Sequence, residues 1–157
     1  MTRAEFLAAY GAVYEASPWV AEAVWPPSGD LAAAMRAAVD SASYEQKLAL
    51  IRAHPELAGR TAIAGEMAEA SKREQSGAGL DRCTPEEFAQ FQRLNGAYNA
   101  RFGFPFIIAV KGLTRADILA AFRARLDNDP QTEFDTALEQ IHRIAGFRLA
   151  DLPEPKA

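Results

Sequence analysis

The stretch from Thr84 to Phe102, TPEEFAQFQRLNGAYNARF, decides the fold. Its first residues match a capping box, in which the Thr84 hydroxyl accepts the backbone N–H of Glu87 and the Glu87 carboxylate reaches back to Thr84. Pro85 strengthens the signal, because its missing N–H costs nothing at the first helical position. Apolar residues then recur every three or four positions, at Phe88, Phe91, Leu94, Tyr98 and Phe102. The pattern predicts an amphipathic helix over 84–102.

The rest of the chain has the same helical character. Alanine supplies 33 of the 157 residues, whereas valine, isoleucine and threonine together supply 18, so intrinsic propensity favours helix over strand. Further capping boxes mark helix starts at Thr2/Glu5, Ser43/Gln46, Ser71/Glu74, Thr114/Asp117 and Thr132/Asp135. The predicted helices, besides 84–102, are 3–15, 18–24, 30–40, 44–53, 61–70, 115–126 and 132–150. We expect an all-α, single-domain multi-helix bundle over 1–157, with a frayed tail over 152–157.

Composition and charge exclude several classes of protein. The 17 Lys and Arg residues against 21 Asp and Glu give a net charge of -4, whereas nucleic-acid binders concentrate positive charge. The longest apolar run, Phe104 to Val110, is far shorter than the roughly 20 residues that span a bilayer, and no apolar signal segment follows Met1. Cys83 has no cysteine to pair with, and two histidines cannot complete a zinc site with it. We expect a cytoplasmic protein without nucleic-acid, membrane or metal partners.

The first segment that could carry chemistry is HPELAG, which begins at His54. Pro55 ends the preceding helix, because the residue before a proline is disfavoured in the helical region. His54 is therefore expected at a helix C-terminus, where the helix dipole favours the imidazolium form. A histidine that titrates near neutral pH is a common general acid or base. A histidine that only caps the last carbonyls is the open alternative.

The second segment is SKREQSGAGL, from Ser71 to Leu80. Glu74 and Gln75 could face a polar substrate, while the glycines permit a close backbone approach. The alternative is a Ser71/Glu74 capping box followed by a glycine turn. A dinucleotide-binding loop is excluded, because Arg82 stands where the third glycine would be and no strand precedes the segment.

The third segment runs from Asn95 to Gly112. Its apolar part, 104–110, has no obvious strand partner, so we expect a buried extended segment between helices. The backbone N–H and C=O groups of such a segment need partners. A small heterocycle could supply some of them, and the apolar side chains would form a dry pocket wall that suits decarboxylation. The alternative is that its aromatic side chains only fill the core.

Together these segments resemble the family of 2-oxo-4-hydroxy-4-carboxy-5-ureidoimidazoline (OHCU) decarboxylases. The matching motifs are His-Pro-Glu-Leu-Ala-Gly at 54–59, Ser-x-x-Glu-Gln-x-Gly-Ala-Gly-Leu at 71–80 and Leu-Asn-x-Ala-Tyr-x-x-Arg-Phe-Gly-Phe-Pro-Phe-Ile-Ile-Ala-Val-Lys-Gly at 94–112. The likeness extends to 14–20 and 139–149. It implies an all-helical homodimer that works without metal or organic cofactor, at the last step from urate to allantoin.

The resemblance also implies the roles of individual residues. His54 is expected to be the catalytic acid/base, and Glu74 to orient the imidazole or the substrate. Arg148 is expected to face the substrate. The other substrate-binding positions are Pro55, Ser71, Gln75, Phe106, Ile107, Ile108, Ala109 and Val110.

The expected activity is the cofactor-free decarboxylation of OHCU to (S)-allantoin. The alternative is a non-catalytic helical module that binds a ureido or purine-like ligand, or a partner helix, with His54 as a mere cap. An amidohydrolase acting on a related ureide is disfavoured, because the sequence has neither a metal-ligand cluster nor a nucleophile–base motif.

Overall fold

The computed structural model describes residues 1–59 and 69–153. Within these ranges the chain is all helical, which confirms the predicted fold class. The helices are α1 (Arg3–Tyr10), α2 (Trp19–Ala23), α3 (Leu31–Asp40), α4 (Tyr44–Arg52), α5 (Glu69–Gly77), α6 (Pro85–Phe102), α7 (Arg115–Arg125) and α8 (Pro130–Ala150). None of these helices is long and apolar enough to cross a membrane.

Four of the six predicted capping boxes form. Both halves of the capping box form at Thr2/Glu5, Ser43/Gln46, Thr84/Glu87 and Thr114/Asp117. The predicted box at Ser71 is wrong, because Ser71 lies inside α5. The box at Thr132 is also wrong: Asp129 caps α8 and accepts the N–H of Thr132, while Pro130 takes the first helical position. Helix α8 therefore begins two residues before its predicted start.

Other boundaries differ from the prediction for local reasons. Helix α1 ends at Tyr10 rather than at residue 15, and Gly11 is its C-cap. Most of the helix predicted over 61–70 lies outside the described residues. The tail was predicted to fray over 152–157, but its first two residues contact the rest of the protein. Leu152 packs on the core, and the Tyr10 hydroxyl donates to the Pro153 carbonyl.

The core is organised around α8 and α6. Helix α8 contacts α3, α4 and α6, while α6 also packs on α7. The apolar face predicted for α6 is buried at Phe91 and Tyr98, although Phe88 near its start remains exposed. Other large side chains with almost no exposure are Phe6, Met35, Leu50, Ile51, Phe106, Ile118, Phe122 and Ile141.

A left-handed turn after α6 directs the chain into the third segment. Gly103 ends the helix with φ 77°, a conformation that glycine adopts without a side-chain clash, and its N–H bonds the Asn99 carbonyl. Residues 105–110 then run as irregular chain, and most of them are buried. The Phe106 ring stacks on Phe122, with 3.9 Å between ring centroids. The prediction of a buried, non-helical segment at this place is confirmed.

Candidate active site

One cavity of about 510 Å³ brings together the three sequence segments. Such a volume is typical of sites for small molecules. All the site residues expected from the sequence line it: His54, Pro55, Ser71, Glu74, Gln75, Phe106, Ile107, Ile108, Ala109, Val110 and Arg148. Helix α1, the segment that follows it and helix α8 complete the wall with apolar side chains that include Ala9, Val13, Ile144 and Phe147. The cavity is therefore an apolar chamber with a few polar groups at fixed places.

His54 borders this cavity with one ring nitrogen already engaged. Helix α4 ends at Arg52, and His54 lies two residues beyond it, 7 % exposed. Its Nδ1 is 2.9 Å from the carbonyl oxygen of Leu50. A carbonyl oxygen can only accept, so Nδ1 carries the hydrogen and Nε2 is left with a free lone pair. The ring thus caps the helix through Nδ1 and remains able to accept a proton at Nε2.

The environment of His54 corrects the expected protonation state. Burial lowers the pKa of His54 to about 4, even though the hydrogen bond to Leu50 and the charge of Glu15 act in the opposite direction; Arg148 lowers it further. The expectation that His54 favours the imidazolium form is therefore wrong, because desolvation lowers its pKa by more than the Leu50 carbonyl and Glu15 raise it. His54 is neutral at physiological pH.

The buried neutral ring should make folding stability depend on pH. In the unfolded chain His54 takes up its proton near pH 6.5, whereas in the folded chain it stays neutral down to about 4, the lowered pKa. The unfolded state therefore binds more protons within that window, so the free energy of unfolding falls as pH drops through it and is level above it for this group. The variant His54→Gln removes this contribution. Urea unfolding across the window should give a shallower pH slope for His54→Gln than for the parent protein; equal slopes would contradict this assignment.

Amide side chains fix the loop that carries His54. Gln92 and Asn95 of α6 donate to the carbonyls of Ala58 and Leu57, at 2.8 and 3.0 Å. Gln75 of α5 accepts the N–H of Ala58 at 3.0 Å and donates to the carbonyl of Glu56 at 3.1 Å. The Gln75 amide thus holds the loop, rather than simply facing a substrate. These contacts hold Ala58 at φ 50°, a conformation that costs a non-glycine residue free energy.

Sequence reasoning missed the role of α6 in supporting this loop. Gln92, Asn95 and Asn99 are spaced by three and four residues, so they form a polar stripe on a helix whose other stripe is apolar. Asn99 donates to the Glu56 carboxylate at 2.6 Å, which extends the stripe to a third loop residue. The repeated amides at helical spacing were the available signal.

Glu74 is held at the cavity wall by Arg148. The Arg148 Nε and Nη2 atoms each lie 2.9 Å from one oxygen of the Glu74 carboxylate, which makes a bidentate pair. The Glu74 side chain is 31 % exposed, and it lines the cavity. The capping alternative for Glu74 is wrong, since its carboxylate binds Arg148 and Ser71 is not a helix start. The carboxylate retains lone pairs for a ligand in the cavity.

Arg148 itself is saturated by the protein. A guanidinium has five N–H donors. Beyond the pair with Glu74, Nη2 donates to the Ser71 hydroxyl at 3.0 Å, and Nη1 lies 3.0 Å from the Glu15 carboxylate and near the carbonyls of Ala12 and Val13. Arg148 therefore borders the cavity with every donor engaged. A substrate could take one of these hydrogen bonds only by displacing a protein partner.

Glu15 is a second residue that sequence reasoning missed. The residue is 4 % exposed, and its carboxylate accepts from the Ser71 hydroxyl at 2.9 Å as well as from Arg148. The side chain thus links the N-terminal part of the chain to α5 and α8. It lies within the N-terminal likeness at 14–20, but a lone glutamate there gives no sign that it is buried.

The second histidine, His142, and the cysteine, Cys83, do not line the cavity. His142 is 8 % exposed, and its Nδ1 lies 2.8 Å from the Tyr14 hydroxyl. Cys83 is a partly buried thiol packed on the core. Among residues 1–59 and 69–153, no group of three or more His, Cys, Asp or Glu side chains could hold a metal ion.

Comparisons with known proteins agree on one family. The family model described as OHCU decarboxylase matches residues 1–150. The 2-oxo-4-hydroxy-4-carboxy-5-ureidoimidazoline decarboxylase of Haloferax volcanii is 46% identical over 151 residues, which cover 93% of this chain and 88% of that protein. The uric acid degradation bifunctional protein PucL of Bacillus subtilis is 45% identical over 147 residues, 90% of this chain and 29% of that protein.

A solved structure shares the fold. The crystal structure of (S)-allantoin synthase superposes with a TM-score of 0.76 at 38% sequence identity, and the match covers 96% of this chain. The chain spans half (50%) of that longer protein. Because the family model and the identity to Haloferax volcanii both extend over most of the sequence, the chain belongs to the OHCU decarboxylase family.

Proposed function

We propose that the chain catalyses the cofactor-free decarboxylation of OHCU to (S)-allantoin in urate degradation. The observation that carries this proposal is that the family's three motifs meet in the cavity around His54 and Glu74. Relatives named for this reaction, including the protein of Haloferax volcanii, support it. The chamber is small, mostly apolar and equipped with one neutral imidazole, which suits a carboxylate that leaves as carbon dioxide.

The substrate carries its own electron sink, so the chemistry needs no electron-accepting group from the protein. One ring carbon of OHCU bears both a hydroxyl and a carboxylate, and the neighbouring carbon is part of a C=N bond. When the bond to the carboxylate breaks, its electron pair forms a carbon–carbon double bond and the C=N electrons move onto nitrogen. The resulting enol loses its hydroxyl proton and gains a proton on the neighbouring carbon, which becomes the stereocentre of allantoin. The ring nitrogen that received the C=N electrons takes up one proton from water. Overall the carboxylate anion therefore takes up one proton and releases carbon dioxide.

We propose that His54 moves one proton from the substrate hydroxyl to the ring carbon. Its free Nε2 can accept the hydroxyl proton, since Nδ1 is fixed as a donor to Leu50. The imidazolium that forms is a stronger acid than an exposed one, because burial lowers the pKa of His54 to about 4. It can therefore return the proton to carbon readily, and always to the face on which the ring lies. Positioned proton transfer typically contributes about 10²- to 10⁴-fold to the rate.

We propose different roles for Glu74 and Arg148: Glu74 binds the substrate, and Arg148 positions Glu74. Glu74 accepts N–H groups of the ureido arm, and the bidentate contact with Arg148 keeps its carboxylate in place. Arg148 thus acts through Glu74 rather than on the substrate carboxylate, because its donors are engaged by protein groups. This division also avoids an ion pair that would stabilise the carboxylate ground state and slow its loss.

Exchange of Glu74 should separate charge from hydrogen bonding. Glu74→Gln keeps an acceptor oxygen but loses the charge pairing with Arg148, whereas Glu74→Ala removes both. We expect a stepwise loss of kcat/KM, of about tenfold for Glu74→Gln and about 100-fold for Glu74→Ala, in line with one and two lost charge-assisted contacts. Steady-state kinetics on freshly generated OHCU measures this. If both variants keep the parental kcat/KM per folded molecule, Glu74 has only a structural role.

Turnover distinguishes this proposal from a non-catalytic binding module. The ultraviolet absorbance of freshly generated OHCU is followed with and without purified protein. We expect decay that accelerates in proportion to protein concentration and that saturates with substrate. Protein that binds (S)-allantoin but leaves the decay at the buffer rate would favour the binding module.

The cellular form of the protein is part of the proposal. We propose a single-domain subunit that assembles as a homodimer in the cytoplasm. The resemblance to the family supports the dimer, and the one free cysteine, Cys83, suits a reducing compartment. Light scattering coupled to size exclusion, on protein above and below micromolar concentration, should give twice the mass of the chain.

A further inference from the structure

Two side chains that do not line the cavity hold the main chain of its wall. Arg125 Nη1 donates to the Ile107 carbonyl at 2.6 Å, and the Ala109 N–H donates to Gln140 Oε1 at 2.9 Å. Ile107, Ile108 and Ala109 border the cavity, whereas Arg125 and Gln140 are not among the described residues that do. Both contacts therefore hold the segment on the side that faces away from the cavity.

The geometry of a trans peptide then fixes where Ile108 points its polar groups. The peptide bonds on either side of Ile108 are trans, and in a trans peptide the C=O and N–H point in opposite directions. The Ile107 carbonyl points to Arg125, so the N–H of Ile108 points the other way. The Ala109 N–H points to Gln140, so the carbonyl of Ile108 also points away from it. Within the described parts of the chain, neither polar atom of Ile108 has a hydrogen-bond partner.

We propose that Arg125 and Gln140 are positioning residues, which turn two successive peptide planes so that Ile108 presents its N–H and C=O together to the cavity as a donor–acceptor pair for an amide edge of the ligand. The inference rests on the proposed function and makes it more specific. A ring or ureido –CO–NH– group offers the complementary acceptor and donor, and OHCU and allantoin both contain several. A free carboxylate or phosphate does not match, because it cannot donate to the Ile108 carbonyl.

The Arg125 side chain is itself held in place by several contacts. Its Nε lies 2.9 Å from the carboxylate of Glu133, which has no solvent exposure and also accepts from the Tyr98 hydroxyl at 2.6 Å. Its guanidinium lies 4.4 Å from the centroid of the Phe106 ring. Rotation of the Arg125 side chain would break this buried ion pair and leave the Glu133 charge without its counter-charge. The Arg125 side chain therefore fixes the direction of the Ile107 carbonyl. The segment that contains Ile107 has no helix or sheet hydrogen bonds that would do so.

Gln140 gives the sharper test, because truncation of Arg125 would strand the buried Glu133 charge and endanger folding. Gln140 is only partly buried on α8. Gln140→Met keeps its length but removes the acceptor for the Ala109 N–H, while Gln140→Glu retains an acceptor. Gln131→Met is the matched control, since it is the same change on the same helix at an exposed position.

The readouts are KM, kcat and the affinity for (S)-allantoin and for hydantoin, a small ring with the same amide edge. We expect Gln140→Met to raise KM and weaken both ligands about tenfold, the scale of one misplaced hydrogen-bond pair. Gln140→Glu and Gln131→Met should stay close to the parent protein. Methylation of the hydantoin imide nitrogen should weaken binding to the parent about tenfold and have little effect on Gln140→Met.

Three outcomes separate the possibilities. If Gln140→Met changes only the free energy of unfolding or the active fraction, and leaves KM and ligand affinity unchanged, Gln140 is merely structural and the inference is wrong. If methylated and unmethylated hydantoin bind the parent equally well, Ile108 does not read an amide edge. If the parent protein binds hydantoin in this pattern but does not accelerate OHCU decay, the proposed function fails while the positioning of Ile108 stands.

Discussion

Replacement of His54 by asparagine should remove most of the turnover and leave the fold intact. The asparagine amide can still donate to the Leu50 carbonyl, which His54 Nδ1 now bonds, so the helix cap is kept. What disappears is the Nε2 lone pair and the acid that it forms. Because positioned proton transfer contributes about 10²- to 10⁴-fold, we expect kcat to fall by that factor.

His54→Ala completes the comparison, because it removes both the proton carrier and the cap. Its kcat should fall as far as that of His54→Asn, while its free energy of unfolding should drop further, by about 1 kcal/mol for the lost hydrogen bond and more for the cavity left behind. His142→Asn controls for the loss of a buried histidine outside the cavity. Turnover within a few-fold of the parent for His54→Asn would eliminate the acid/base role.

Replacement of Arg148 by methionine should cause the largest loss of stability. The Glu15 carboxylate, 5 % exposed, loses its counter-charge, and the Ser71 hydroxyl loses a donor. Breaking a buried pair by removing one partner costs about 3–5 kcal/mol. Chemical unfolding should show this loss, and kcat/KM of the folded fraction should fall as well, because Glu74 is no longer held.

The double variant Glu15→Gln with Arg148→Met separates these two effects. Removing the stranded charge should recover much of the stability, whereas kcat/KM should remain low because Glu74 still lacks its partner. Equal stability of Arg148→Met and the parent would contradict the buried network. Recovery of full activity in the double variant would show that Arg148 does not act through Glu74.

Local signals in the sequence were sufficient to predict the helical fold. Thr84, Pro85 and Glu87 start α6 as the capping motif requires, since such a motif depends only on neighbours in the chain. The same local rule failed at Ser71 and Thr132. Asp129 provides the real cap of α8, and α5 is already helical at Glu69, so a Ser-x-x-Glu or Thr-x-x-Asp pattern inside a helix imitates a start. The motif does not reveal what precedes it.

The composition of the cavity wall could be predicted, but not its electrostatics. The three segments, and their likeness to one family, identified the residues that meet in the cavity. The lowered pKa of His54 depends on how deeply packing buries the ring, and the saturation of Arg148 depends on Glu15, 133 positions away in the chain. Neither has a signal within a short window of sequence, because both arise where distant segments come together.

The central claim is that one neutral imidazole in an apolar cavity delivers a proton to a single face of the decarboxylated intermediate. The enantiomeric excess of allantoin formed from freshly generated OHCU tests it most directly, because protonation in free solution has no preferred face. We expect an excess of (S)-allantoin with the parent protein, and with His54→Asn a turnover lower by about 10²- to 10⁴-fold and a much smaller enantiomeric excess. Racemic allantoin from the parent protein, formed no faster than in buffer, would contradict it.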